Sequence, residues 1–499
     1  MLTMSGIIAK TVDFLTRAWY SARLGSEGMG IFSLVFSVHG IMLTVATGGL
    51  GVAVATLVSE QYARRSLGEI RKTMRIALCA VALLSLPVII TASAASEKIA
   101  SAFLGEPRCA KSIVCLAPSV LFMGISYCIK GYFYASRKVL RPASSEFLEQ
   151  AVKVCAIGFL LPRRLAAGAE AGCAAVFLGF SVGEFSSCLY LTLLYLADCR
   201  TLRGISRSDS TVRAVARIAL PVMATSLISS FLRMQEDVWI VSGLEMSGLD
   251  HTAALSSYGA LHGMIMPLLS FPLTLLSSFL TLLVPEISRA ASLSCRVRLQ
   301  TLVSRIYRFT AFFGFMIMCI FISFSPELTH FAYGDAGLGT YLRCLAPLAP
   351  VMFMDSVSCG ILNGLGRQPF LLKCSLADSA LRLALIALLI PHFGINSLIF
   401  IIIFSNLFTF TLTGTYARRG SGISFEVSSC IAKPLFAAIC AAAAVHTLFS
   451  RIADTSALSA LITGCAAAAA VYSFAAAFLG APSRSDIRWA VRRMLLDRV

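Results

Sequence analysis

The fold of this chain can be approached from residues 131–154, GYFYASRKVLRPASSEFLEQAVKV, where one apolar segment ends, a basic loop follows and another apolar segment begins. In the second segment four polar residues are spaced i, i+3, i+4 and i+7, which places them on one face of a helix. They are Glu146, Glu149, Gln150 and Lys153. The stretch therefore predicts a helix that is apolar over most of its surface and carries a ladder of polar groups along one side.

The apolar character extends over the whole chain of 499 residues, of which 57% are hydrophobic and 13% are charged. The mean hydropathy is +0.81. Apolar runs of about 20 residues, long enough to cross a bilayer as a helix, recur from end to end. Because these runs lack the alternation of barrel strands, they predict an all-α polytopic membrane protein with about 14 transmembrane helices.

Positive charge is concentrated in alternate connections between the apolar runs. The chain has 42 Lys and Arg against 25 Asp and Glu, a net charge of +17 that in a soluble protein would suggest nucleic acid. Here the positive-inside rule accounts for the charge, and we expect no nucleic-acid partner. The alternation predicts a multi-pass protein of the cell membrane with both termini in the cytoplasm. The basic tail at 481–499 predicts an amphipathic helix at the membrane surface, with a solvated tail as the alternative.

The pattern of residues 131–154, an apolar segment, a basic loop and a second apolar segment, occurs again at residues 360–383, GILNGLGRQPFLLKCSLADSALRL. In an alignment without gaps, Glu149 matches Asp378 and Lys153 matches Arg382, at an offset of 229 residues. Each copy thus carries an acid one turn before a base inside an otherwise apolar segment.

A second pair of segments, residues 30–60 and 256–286, aligns at an offset of 226 residues. The agreement predicts an internal duplication of six spans, in which the two copies have the same orientation in the membrane. Chance similarity between apolar helices is the alternative. The predicted order is an N-terminal lobe, a C-terminal lobe, two further helices and a cytoplasmic tail, at residues 1–213, 214–431, 432–480 and 481–499.

Ionisable residues inside apolar segments mark candidate sites, because a charge in the membrane interior is costly and usually faces a cavity or another charge. One hypothesis is a central polar cavity with bases for an anionic substrate. The candidates for it are Arg17, Lys153, Arg382, Arg233, Glu149 and Asp378. Candidates for coupling to an ion are Asp13, Glu184, Glu236 and Asp237. The alternative is neutralisation within single helices, for which Glu149–Lys153, Asp378–Arg382, Asp13–Arg17 and Arg233–Asp237 all have suitable spacing.

Motifs of enzymes and metal sites are absent from the sequence. The 16 Cys form no CxxC pair and no cluster with zinc-ligand spacing. No Walker motif and no nucleophile–base arrangement is present. We therefore expect a protein that is not an enzyme and that has no catalytic residues, no metal and no cofactor.

Four stretches of the sequence carry a family resemblance. They are ARLGSEGMGIF at 22–32, ASSEFLEQAVKV at 143–154, SSYGALHG at 256–263 and LLVPEIS at 282–288. They resemble the stage V sporulation protein B group, in the polysaccharide-exporter branch of the MATE-like (MOP) flippase superfamily. The lipid II flippase of peptidoglycan synthesis is related to this group.

The resemblance implies two pseudo-symmetric six-helix lobes that form a V around a central cavity, plus two C-terminal helices. It also implies alternating-access transport of an undecaprenyl-pyrophosphate-linked oligosaccharide or peptidoglycan precursor, in spore cortex or cell-wall synthesis. Flippases of this type use arginines of the first helix, which makes Arg17 and Arg23 candidates. The predicted cavity contains both acids and bases, which differs from a purely basic site for binding pyrophosphate.

The expected partners are the lipid-linked sugar, the bilayer and a coupling cation, Na⁺ or H⁺, with the chain acting as a monomer. A Na⁺- or H⁺-coupled multidrug efflux transporter of the MATE type is the alternative function, favoured by the acids Asp13 and Glu184. A membrane assembly factor without transport activity is a third class.

Overall fold

A computed structural model gives the structure of the protein, and all of its described secondary structure is helical. The described residues are 2–64, 66–199, 211–293, 296–422, 428–449 and 458–480. The helical structure confirms the all-α class, which the sequence predicts because its apolar runs lack the alternation of apolar and polar residues found in barrel strands. The predicted amphipathic tail at 481–499 lies outside the described residues.

The chain divides into two compact units, Met1–Gly263 and Met264–Val499. The α-helices of the first unit, in chain order, are α1 (Leu2–Thr47), α2 (Leu50–Ala63), α3 (Leu67–Ala94), α4 (Ser96–Lys98), α5 (Ala110–Leu116), α6 (Ser119–Ala135), α7 (Leu140–Leu165), α8 (Ala169–Cys199), α9 (Thr211–Met246) and α10 (His251–Tyr258). The remaining helical turns are a π-helix at Ile99–Phe103, a 3₁₀ turn at Pro107–Cys109 and a π-helix at Gly259–Ile265 that continues into the second unit.

The second unit is also helical wherever the structure describes it. Its α-helices are α11 (Met266–Ser292), α12 (Arg296–Ser323), α13 (Ser325–Tyr333), α14 (Gly339–Leu345), α15 (Leu348–Gly364), α16 (Gln368–Phe393), α17 (Ile395–Ser421), α18 (Lys433–Phe449) and α19 (Leu458–Phe478). A π-helical turn at Ser428–Ala432 precedes α18.

Helix lengths recur between the units at the spacing of the sequence repeat. Helices α3 and α12 both have 28 residues, and α6 and α15 both have 17. Helices α7 and α16, which carry the two copies of the charged ladder, both have 26 residues. The pairs α5–α6 and α14–α15 are each one apolar segment with a bend, of 42° and 52° respectively. The duplicated sequence pattern therefore corresponds to a duplicated order of helices.

Nine helices in the described part of the chain are long and apolar enough to cross a membrane, and the two bent pairs bring the number to eleven. Helix α7 is not among them, because its polar ladder lowers its hydropathy. The N-terminal candidate, 58 residues from Gly6 to Ala63, would extend about 87 Å if straight, against about 30 Å of hydrocarbon. It bends at Gly25, whose backbone angles (φ 71°, ψ 178°) are open essentially only to glycine. The protein is thus a multi-pass membrane protein, and the count of 14 stays a prediction.

The basic loop of the opening stretch is fixed to the end of α8 by Asp198, a residue of which 8% is exposed. The Asp198 carboxylate accepts a hydrogen bond of 2.7 Å from the Tyr132 hydroxyl and lies 2.5 Å from Lys138 Nζ and 3.1 Å from Arg141 Nη1. Tyr132 itself is fully buried in a core formed by α2, α3, α6, α8 and α9. This Asp198 brace therefore joins the end of α6, the loop and the end of α8.

A second polar network joins α1, the segment before α5 and the start of α10. Arg108 pairs with Glu27 at 2.6 Å and with Glu106 at 2.8 Å. His251 donates or accepts hydrogen bonds on both ring nitrogens, to Glu106 at 2.9 Å and to Glu245. Burial alone would raise the pKa of Glu106, but hydrogen bonds from Arg108 and His251 outweigh it and hold that pKa below its usual value. Hydrogen bonds to Glu245 and Glu106 raise the pKa of His251.

Close backbone contact holds α1 against the π-helical turn after α10. A Cβ atom added to Gly259 would lie 2.0 Å from the Ser26 carbonyl oxygen and 2.4 Å from the Gly30 nitrogen. Next to this contact, the Ser26 and Ser256 hydroxyls are hydrogen-bonded at 2.5 Å. The two backbones can approach this closely only because residue 259 has no side chain.

We predict that Gly259→Ala destabilises the protein, because the new methyl group collides with backbone atoms that cannot rotate away. Overpacking of this kind costs about 1–3 kcal/mol, or a fall in Tm of about 2–6 °C, measured for the purified protein in lipid nanodiscs. The matched control is Gly158→Ala in the interior of α7, where an added Cβ meets nothing within 4 Å. Equal Tm values for the two variants would contradict the steric argument.

We also predict that the Glu106 network weakens as the pH rises. The stabilisation from His251, whose folded-state pKa is raised above 6.5, is fully present below that value and is lost as the pH rises through the folded-state pKa. Glu106, whose pKa is lowered, contributes above about pH 4.5 and loses its contribution only in more acidic solution.

The Tm of the wild-type protein should therefore fall by about 1–3 °C more between about pH 6 and about pH 8.5 than that of His251→Gln. Because His251 is partly exposed, solvent screening keeps the expected difference this small. Parallel pH profiles for the two proteins would show that His251 carries no pH-dependent stability.

Candidate functional site

The first unit contains a cavity of about 630 Å³ that is lined mainly by α1, α6, α7, α8 and α9. Its wall combines apolar surface with both signs of charge. The ionisable lining residues are Lys10, Asp13, Lys130, Glu146, Glu149, Lys153 and Glu184. The polar ladder predicted from the opening stretch, Glu146, Glu149, Gln150 and Lys153, lies entirely on this wall.

Lys153 is the most deeply buried base of the cavity, with 5% of its surface exposed. Its Nζ lies 2.7 Å from Asp13 Oδ1 on α1, 140 residues away in sequence, and 4.7 Å from the centre of the Phe180 ring on α8. An ammonium group buried this far must be compensated, and here a carboxylate and an aromatic face supply the compensation. The ion pair of Lys153 thus joins two helices, although spacing alone also allowed a pair with Glu149 in the same helix.

Glu149 on α7 and Glu184 on α8 both line the cavity. The two helices approach closely at this level, because a Cβ added to Gly183 would lie 3.0 Å from Lys153 Cβ and 3.2 Å from the Glu149 carbonyl oxygen. The structure therefore brings Glu149, Lys153, Glu184 and Asp13 together, four of the residues that sequence reasoning proposes.

Lys130 on α6 is the charged lining residue that sequence reasoning missed. Its Nζ lies 3.7 Å from Glu146 Oε1. The sequence contains a sign of this residue, because Lys130 is the one base within the apolar segment that ends at residue 135. A base inside a membrane segment usually faces a cavity. Glu146 and Gln150 stand on the predicted polar face of α7 without having been proposed as site residues, and Lys10 of α1 is a further lining base that was not proposed.

The two arginines of α1 lie outside this cavity lining. Arg17 Nη2 donates to the Gly263 carbonyl oxygen at 3.3 Å, and its guanidinium lies 5.6 Å from the centre of the Phe32 ring. Arg23 is exposed and stacks on Trp19 of its own helix at 4.2 Å. Their proposed roles in substrate binding stay predictions.

The charged group of α9 is also separate from the cavity lining. Arg233 is exposed, whereas Glu236 is 4% exposed and Asp237 is half-buried. The cavity lining from α9 consists of uncharged residues, Val222 and Ser226.

In the second unit, the candidates matched to the ladder form their own polar cluster. Arg382 Nη1 lies 4.0 Å from Asp378 Oδ2 within α16, the intrahelical pair that the spacing predicts. Asp378 also accepts a hydrogen bond from the Ser405 hydroxyl, and Asp355 accepts one of 2.6 Å from Thr413. Among the residues that the structure describes, no three His, Cys, Asp or Glu side chains are arranged to hold a metal ion.

Comparisons with known proteins agree with this architecture. The chain is 24% identical to stage V sporulation protein B of Bacillus subtilis (strain 168) over 403 residues, which cover 79% of this chain and 78% of the relative. Its fold is similar to that of the lipid II flippase MurJ in an inward closed conformation, with a TM-score of 0.74, 13% identity and coverage of 96% of this chain and 98% of MurJ.

A multidrug resistance MATE family transporter of the MOP superfamily, in an inward-facing conformation, is also similar in structure. Its TM-score is 0.69 at 14% identity, with coverage of 84% of this chain and 98% of the transporter. These similarities confirm the MOP superfamily fold that the sequence motifs imply.

A family profile described as polysaccharide biosynthesis protein matches residues 1–291, more than half of the chain. The match includes the whole of the first unit and all of the cavity-lining residues. The chain therefore belongs to the polysaccharide biosynthesis protein family.

Proposed function

We propose that this protein is a flippase that moves a lipid-linked sugar precursor across the cytoplasmic membrane by alternating access. The substrate class is an undecaprenyl-pyrophosphate-linked oligosaccharide or peptidoglycan precursor, of the kind used in spore cortex or cell-wall synthesis. The observation that carries the proposal is the cavity of the first unit, where the amine of Lys153 is held deep among apolar helices by Asp13 and Phe180. The MurJ-like fold and the family support the same class of function.

The cavity suits an anionic head group because its bases are already paired with carboxylates of the protein. Lys153 is paired with Asp13, and Lys130 is near Glu146. A pyrophosphate oxygen can replace a carboxylate oxygen at the ammonium group without leaving that charge uncompensated. Substrate binding is therefore an exchange of one anion for another, and the exchange separates Lys153 on α7 from Asp13 on α1. We propose that this separation frees the two helices to move during transport.

The proposal includes the layout predicted from the sequence. Fourteen transmembrane helices form two six-helix lobes, at residues 1–213 and 214–431, around a central cavity, and residues 432–480 form two further helices. Both termini are cytoplasmic, and the protein acts as a monomer with Na⁺ or H⁺ as the coupling cation. The matched helix lengths of α3 with α12 and of α7 with α16 support the duplication. The Gly25 bend supports two passes between Gly6 and Ala63.

A cation-coupled multidrug efflux transporter is the second candidate. The observation that favours it is the composition of the cavity wall, which carries four carboxyl groups and three amines, a small acidic excess that attracts a cationic drug. The fold similarity to a MATE family transporter supports this candidate as well.

We predict that Lys153→Met lowers the initial rate of lipid II translocation in proteoliposomes at least about tenfold, because the substrate loses its deepest cation. The double variant Asp13→Asn/Lys153→Met should be equally inactive. It removes both charges, so a loss of stability from an unpaired Asp13 cannot explain its inactivity. The matched control is Lys111→Met, since Lys111 is 73% exposed and pairs with Glu170 away from the cavity.

Normal translocation by the double variant would contradict the role of Lys153. Ethidium efflux by a wild-type protein that does not translocate lipid II or other lipid-linked sugars would reject the flippase function in favour of the second candidate. Arg17→Ala and Arg382→Ala, tested in the same assay, determine whether these two arginines also contribute to substrate binding.

A further inference from the structure

Glu106 is the centre of the polar network that joins α1, the segment before α5 and the start of α10. Its carboxylate accepts hydrogen bonds from Arg108, through the backbone nitrogen at 3.2 Å, Nε at 2.9 Å and Nη2 at 2.8 Å. His251 Nε2 lies 2.9 Å from the same carboxylate. Glu106 is only 2% exposed, and a buried carboxyl group with this many donors is held in its ionised form.

His251 contacts two carboxyl groups, one with each ring nitrogen. Nε2 faces Glu106, and Nδ1 faces Glu245, whose side chain is 38% exposed. Carboxylates only accept hydrogen bonds, and a neutral imidazole has a single N–H to donate. A neutral His251 would therefore direct the lone pair of one ring nitrogen at a carboxylate and lose that contact. The two contacts form together only when His251 is protonated.

The network lies at the opposite end of the helices from the Asp198 brace. Residues 107–135 form the bent apolar segment α5–α6, and Glu106 and Arg108 stand at its start. The brace holds Lys138 just beyond its end. In the proposed layout the basic connections are cytoplasmic, and the network is then at the outer surface.

The network also joins segments that belong to different lobes in the proposed layout. Glu106 and Arg108 lie in the lobe of residues 1–213, whereas His251 lies in the lobe of residues 214–431. Contact between His251 and Glu106 is thus a connection between the lobes of that layout.

Beside the network, α10 is held against α1 by contacts that carry no charge. The Ser26 and Ser256 hydroxyls are hydrogen-bonded at 2.5 Å, and a Cβ added to Gly30 would lie 2.4 Å from the Leu255 carbonyl oxygen. These contacts do not respond to pH. If the outer side is to open, α10 must leave α1, and the contact of His251 with Glu106 must break with it.

We propose that His251 is a proton-dependent latch that holds the outer side of the transporter closed. When protonated, it connects the start of α10 and Glu245 of α9 to Glu106. When it loses the proton, one of its carboxylate contacts is lost and α10 can separate from α1. The gating role rests on the proposed transport function, whereas the proton-dependent contact does not.

The charged groups around the latch come from each element at this end of the helices. They are Glu245 from α9, Glu106 and Arg108 from the segment before α5, Glu27 from α1 and Asp250 from the turn before α10. Hydrogen bonds to Glu245 and Glu106 raise the pKa of His251. The latch is therefore closed at lower pH and is released as the pH rises through that raised pKa.

Opening of the latch can be measured without transport, by hydrogen exchange of the backbone amides of residues 251–263 in the full chain in lipid nanodiscs. After correction for the intrinsic pH dependence of exchange, wild-type protection should fall by up to about tenfold per pH unit between about pH 6 and about pH 8.5. His251→Lys, which keeps a cation over this range, should stay protected throughout. His251→Gln, which carries no charge, should be poorly protected throughout.

The matched control is His330→Gln, since His330 is an exposed histidine of α13 outside the network. This variant should keep the wild-type profile. Glu245→Gln is a second test that leaves His251 in place, and its protection should fall less with pH than that of the wild type, because neutral His251 can still donate to Glu106. Wild-type protection that does not change with pH, or equal profiles for wild type, His251→Lys and His251→Gln, would overturn the proposal.

The gating role is tested in proteoliposomes with lipid II as substrate. Because the outer side must open in every cycle, His251→Lys should lower the initial rate at least about fivefold at about pH 8.5, where the wild-type latch is released. A wild-type rate in His251→Lys, with the exchange profiles as expected, would reject the gating role while leaving the flippase function intact. A pH-dependent exchange profile in a protein that translocates no lipid-linked sugar would reject the flippase function while leaving the latch intact.

Discussion

The arrangement of the first unit depends on the compensation of one buried charge. An ammonium group at the depth of Lys153 costs several kcal/mol of desolvation free energy, and it is held only because Asp13 of α1 and Phe180 of α8 both reach it. One side chain of α7 therefore contacts both α8, its neighbour in sequence, and the distant α1.

The acids and bases of the two copies of the charged ladder have different partners, although the order of helices around them is the same. In α7 the base pairs with an acid of another helix, Asp13 of α1, and not with Glu149 of its own helix. In α16 the acid and base pair within one helix, and the Ser405 hydroxyl binds the acid. A polar network that extends over several helices changes when any of them moves, whereas a pair within one helix does not.

The sequence predicts the helices, their duplicated order and the polar face of α7, because each depends on apolar run length or helical periodicity. It does not predict the partner of Lys153. Spacing pairs Lys153 with Glu149 and Asp13 with Arg17, whereas the observed pair depends on how α1 and α7 pack, which no local pattern records. The close approach of α7 and α8 has the same origin, since it depends on Gly183 lying against the α7 backbone. The surroundings of Arg23, in contrast, are local in sequence, because its guanidinium stacks on Trp19 of the same helix and is exposed to solvent.

The Asp198 brace has a consequence for the biogenesis of the protein. Ribosomes synthesise Lys138 and Arg141 almost 60 residues before Asp198, so both cations are unneutralised while α6 and α7 enter the membrane. Such free positive charge is what the insertion machinery reads to orient a helix pair. Once α8 is complete, the Asp198 carboxylate pairs with both side chains, which stay partly exposed. The two charges that are free in the nascent chain are thus paired with a buried acid in the folded protein.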